Sequence, residues 1–88
     1  MELEIIRKKL DQLDEQLMTI LAERQSYLGD VARYKKAHNL PLYQPEREKQ
    51  ILEAKLALAK KLELDSEMVE KIFAAILESS KKTQAKVL

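Results

Sequence analysis

Cysteine and tryptophan are absent from this chain of 88 residues, which holds only one glycine, two prolines and one histidine. Without cysteine there is neither a disulfide framework nor a thiolate zinc site. A single histidine, His38, gives no basis for a metal centre or for a Ser–His–acid or Cys–His catalytic arrangement. The lone glycine, Gly29, excludes a glycine-rich phosphate loop. No apolar run approaches the roughly 18 residues of a membrane span, and the opening MELEIIRKKL lacks a signal peptide's apolar region. Net charge is +1, from 16 basic and 15 acidic residues, so no broad field draws the chain to nucleic acid or an anionic membrane. The expectation is a soluble, cytoplasmic protein with no cofactor and no metal.

Leu, Ala, Glu and Lys dominate what is present, and such a composition forms helices. Leu3, Ile6, Leu10, Leu13, Leu17 and Ile20 recur in steps of three and four, a heptad-like seam. The same stripe continues through Arg24, Leu28, Val31 and Lys35. A first helix is therefore predicted from about residue 3 to 37. The segment HNLPLYQP ends it, because Pro41 disfavours helix at Leu40 and Asn39 suits a C-terminal cap. Pro45 fits the first turn of a second helix, with Glu46 and Glu48 near its positive end. Ile51, Leu52, Leu56, Ala59 and Leu62 give that helix an apolar face. ELDSEM interrupts, with Asp65 or Ser66 as the next N-cap. A third helix buries Val69, Ile72, Phe73, Ile76 and Leu77 and runs towards Lys86. Tyr27, Tyr34 and Tyr43 read as half-buried packing residues. The fold class is all-α, with one long and two shorter helices in a single domain, residues 1–88.

Length sets a further condition. A helix of about 35 residues spans roughly 50 Å, whereas a compact globule of this size has a radius of gyration of about 12 Å. The second and third helices cannot cover the first. The economical cover is a second copy, so an intertwined helical homodimer is expected.

Polar side chains stand on stripes that should be core. Arg24 and Lys35 flank Leu28 and Val31. Arg47 leads into Ile51, Ala54 and Leu58. Phe73 and Leu77 lead into Ser80 and Gln84, again at helical spacing. Lys49 has Glu46 and Glu53 within three or four residues, and Arg33 has Asp30; Arg24, Lys35 and Arg47 have no such acid. Unpaired cations on a buried face are costly unless a multiply charged anion completes them or their stems carry the charge to water. Plainer readings stand beside the binding one. A seam cation can snorkel, Ser80 and Gln84 can face solvent, Arg7 can pair with Asp11, and Glu48 can simply complement a helix dipole.

These pieces, IRKKLDQLDEQLMTILAER, VARYKK, PEREKQILE and ESSKKTQ, together resemble the small all-helical chorismate mutases, a family of intertwined dimers. The resemblance covers almost the whole chain. It implies that Arg24 and Arg47 hold the carboxylates of a dianionic substrate, chorismate, and that Arg7 reaches in from the partner subunit to a shared site. Lys35 and Gln84 would donate to the ether oxygen, with Arg24 also in the catalytic set. Glu48 would accept from the ring hydroxyl, and Ser80 would support the ring carboxylate. Gln44 stands where members of the family often carry Asp. The reaction so implied is the pericyclic rearrangement of chorismate to prephenate, which requires no acid, base or nucleophile from the protein. Fixed donors aimed at the ether oxygen would stabilise its developing negative charge. Two other readings stay open here: an isochorismate pyruvate-lyase on the same fold, and a non-catalytic helical dimerisation module.

Overall fold

A computed structural model describes residues 2–87, and every regular element among them is helical. The predicted first helix is present as two segments, α1 (Leu3–Ser26) and α2 (Leu28–Ala37). They meet at Tyr27, which keeps right-handed helical dihedrals. Its N–H bonds back to the Arg24 carbonyl at 3.3 Å, and the ladder resumes with Val31 N–H on Tyr27 O at 3.1 Å. The interruption is thus one tightened turn. Two local features accompany it: the Ser26 hydroxyl donates to the Glu23 carbonyl, a bond of the kind that can bend a helix, and Gly29 follows within a turn.

Asn39 ends α2 with φ 55°, as the sequence predicts. Leu40 N–H donates to Lys35 O at 2.8 Å and Asn39 N–H to Lys36 O at 3.3 Å, the paired bonds of a Schellman motif. After the connection 38–44, α3 (Pro45–Lys61) begins with Pro45 in its first turn and Gln44 at the N-cap. A second Schellman motif closes α3, with Leu64 N–H on Ala59 O at 2.8 Å. Here the left-handed residue is Glu63, at φ 58°. The final helix, α4 (Ser66–Val87), takes Asp65 as its cap, since Asp65 Oδ1 accepts from the Glu67 N–H at 3.2 Å.

Helix α4 packs against both α2 and α3. The buried apolar residues are Leu28, Ala32, Ala59 and Val69. Helix α1 extends beyond this cluster and buries no residue of its own. Leu3, Ile6, Leu10, Leu13, Leu17 and Ile20, the predicted seam, are all exposed. The radius of gyration is 16.2 Å and the longest dimension 55 Å, against about 12 Å for a compact chain of this length. Two apolar faces are less covered than the periodicity implies. On α4, Ile72 is exposed and Phe73, Ile76 and Leu77 are half-buried; just past α3, Leu62 is exposed. The tyrosines, too, are exposed rather than half-buried. Periodicity identifies a face that seeks cover, and within one chain the covering surface is too small. Among the described residues, no helix is long and apolar enough to cross a membrane.

Glu63 carries a conformation that costs a residue with a Cβ about 1 kcal/mol. Glu63→Gly should therefore raise the melting temperature by about 4–8 °C, read from helical circular dichroism at fixed protein concentration.

Candidate active site

One cleft of about 300 Å³ opens where the α1–α2 joint, the connection 38–44, the start of α3 and the last turns of α4 meet. Its apolar walls are Leu28, Val31, Leu42, Ile51 and Leu77. Its charges are four cations, Arg24, Lys35, Arg47 and Lys81, against one carboxylate, Glu48. Such a balance selects an anion.

Lys35 lies at the centre. It is 9% exposed, and its Nζ donates to Gln84 Oε1 at 2.8 Å and to the Leu42 carbonyl at 2.9 Å. These partners engage two of the three N–H donors of an ammonium. Gln84, also buried, must turn its oxygen to Lys35, since lysine has no acceptor. Its amide NH₂ thereby remains available as a donor. Burial pushes the Lys35 pKa below the usual lysine value, and the charge of Glu48 acts in the opposite direction.

Arg24 projects from the last turn of α1, and its Nη1 donates to Ser80 Oγ at 2.7 Å. The Ser80 hydroxyl in turn donates to the Ile76 carbonyl one turn earlier on α4, at 2.7 Å. Buried Ser80 therefore fixes one nitrogen of the guanidinium and leaves the rest of the fork free. Arg47, in the first turn of α3, lines the same cleft with an otherwise exposed side chain. Gln44 lines it from the N-cap, where its side chain makes no capping bond.

Seven of the eight site residues named from the sequence thus border one cleft: Arg24, Lys35, Gln44, Arg47, Glu48, Ser80 and Gln84. Arg7 does not. It stands near the start of α1, its side chain 62% exposed, paired with Glu4 at 3.5 Å rather than with Asp11. Lys81 is the charged cleft residue that sequence reasoning passed over. The signal was present, because Leu77, Lys81 and Gln84 follow one another at i, i+4 and i+7.

Comparison with known proteins bears on this site. Residues 6–85 match the family described as chorismate mutase type II. A chorismate mutase of Methanocaldococcus jannaschii is 37% identical over 83 residues, covering 94% of this chain and 84% of that protein. The bifunctional chorismate mutase/prephenate dehydratase of Escherichia coli K12 is 34% identical over 83 residues, 94% of this chain and 22% of the relative. The T-protein of Haemophilus influenzae is 31% identical over 75 residues, 85% of this chain and 20% of that protein. The chain therefore spans most of the archaeal relative and about a fifth of the longer ones.

The buried ammonium gives a test independent of any ligand. Between the lowered folded pKa of Lys35 and 10.5, the unfolded chain binds more protons than the folded one. Unfolding free energy from this group therefore rises with pH across that window, and below it the penalty for the buried charge is fully present. In urea titrations, the stability of the wild type relative to Lys35→Met should increase as pH approaches 10.5. A difference independent of pH would contradict the desolvation of Lys35.

Proposed function

Because the chain belongs to the chorismate mutase type II family, we propose that this cleft binds chorismate and isomerises it to prephenate. The observation that carries the assignment is the buried pair Lys35–Gln84, 2.8 Å apart, on the wall of a cleft with a cationic excess. Two fixed donors beside arginine forks suit a flexible dicarboxylate that breaks an ether bond.

The reaction is intramolecular. One carbon–oxygen bond breaks as one carbon–carbon bond forms, and no proton or electron is exchanged with the protein. The protein's first task is conformational: substrate must be held folded with its reacting carbons adjacent. Arg24 and Arg47 hold the carboxylates, since a planar guanidinium binds two oxygens at once. Ser80 keeps Arg24 in place and supports the ring carboxylate. Glu48 accepts from the ring hydroxyl, and Gln44 borders the same end through an uncharged amide.

The second task is electrostatic. Negative charge grows on the ether oxygen as its bond lengthens. The Lys35 ammonium and the Gln84 NH₂, already oriented before substrate arrives, stabilise that charge more in the transition state than in the ground state. No reorganisation is needed at the moment of reaction.

A second copy of the chain completes the assembly in this reading. Helix α1 leaves its whole apolar seam exposed, and a partner's α1 is the surface that matches it. In that homodimer Arg7 enters the partner's cleft and binds a substrate carboxylate, so each site is shared. The reading includes a cytoplasmic location.

Purified protein incubated with chorismate should release prephenate, and Lys35→Ala should lower kcat by about 100-fold or more with a smaller change in KM. Splitting of isochorismate to pyruvate with no turnover of chorismate would overturn the assignment. The shared site has its own signature. If Arg7→Ala and Lys35→Ala chains, each inactive alone, are mixed and re-equilibrated, half the dimers should be heterodimers, each with one intact site. About a quarter of wild-type activity should return. If Arg7 served its own chain's cleft, nothing would return.

A further inference from the structure

A cleft built to hold a dianion contains a carboxylate, Glu48, and that charge repels the ligand unless something offsets it. Lys81 stands in the position to do so. Its Nζ is 3.4 Å from Glu48 Oε1 and 3.3 Å from Oε2, so the ammonium straddles both oxygens across the gap between α4 and α3. The same Nζ lies 4.7 Å from the centroid of the Tyr43 ring, which belongs to the connection 38–44. Glu78, one turn earlier on α4, is 3.6 Å away, but its side chain is 61% exposed. Lys81 and Glu48 are 28% and 24% exposed, so theirs is the drier pair and the less screened one. Burial lowers the Lys81 pKa, but Glu48, Glu78 and Tyr43 outweigh it and raise the value, so Lys81 is charged throughout the neutral range.

We propose that Lys81 is a positioning residue for substrate recognition. It clamps the Glu48 carboxylate against α4, over the Tyr43 ring, so that a free lone pair meets the hydroxyl of bound substrate, and it cancels the repulsion between Glu48 and the bound anion. An ionised carboxylate has about four lone-pair sites, so it can serve Lys81 and a hydroxyl together. The proposal rests on the reading of the cleft as a chorismate site.

Steady-state kinetics with chorismate on the full chain test it. Lys81→Met should raise KM by about tenfold and leave kcat within about twofold. Lys81→Arg, which keeps charge and donors, should restore KM. In a Glu48→Gln background, where no carboxylate needs holding, Lys81→Met should change KM by less than about twofold. Lys81→Gln read the same way preserves the test should Lys81→Met lose helicity. An unchanged KM in Lys81→Met overturns the proposal. So does a tenfold effect that persists with Glu48→Gln, since Lys81 would then act on the substrate directly. Failure of the wild type to turn over chorismate would instead remove the functional reading, and this role with it.

Discussion

An ammonium group withdrawn from water needs oxygen acceptors in place of the water, and the arrangement around Lys35 follows from that need. One acceptor is the Leu42 carbonyl, so the connection 38–44 must fold back over α2. The other is Gln84 Oε1, so the last turns of α4 must lie against α2. Together they bring three separate parts of the chain to one point. The price is a buried charge that an apolar residue of the same size would avoid. Burial lowers the pKa of Lys35, and Glu48 across the cleft partly opposes that shift.

The chain divides into two regions with different requirements. From the end of α1 onward, helices α2, α3 and α4 enclose a cleft whose buried polar side chains find partners, and no buried side-chain nitrogen or oxygen among the described residues lacks one. Most of α1 encloses nothing. Its seam residues carry a large apolar area that stabilises the protein only when something else covers it. The cleft is chemically specific and small, whereas the seam is chemically plain and long. A helix of this length therefore carries an apolar face that the chain's own helices leave uncovered.

The helices, the cap at Asn39 and the Pro45 start were legible because each has a local cause within a few residues. The cleft was legible in part, because Arg24, Lys35, Ser80 and Gln84 fall on stripes where periodicity leads one to expect apolar residues. Features that depend on distant partners were not. Lys81 shares a helical stripe with Leu77 and Gln84, but its partner Glu48 comes beside it only when α3 packs against α4. The exposure of Ile72 and Leu62 depends on what covers them rather than on their own spacing. The break at Tyr27 is a single tightened turn between Ser26 and Gly29, two residues that also occur inside unbroken helices. Nor does Glu63 carry a sequence signal for its left-handed backbone, which α3 imposes in ending.

Surface connections usually accept insertions, since longer loops add little closure entropy. The connection 38–44 is bound by a stricter rule. Lys35 grips it twice, through its carbonyl on the Leu40 N–H and through its ammonium on the Leu42 carbonyl. An added residue between Leu40 and Leu42 would slide the carbonyl away from the ammonium and strand a charge. The length of this connection, more than the identity of its side chains, is therefore what a homologue or a designed variant must keep.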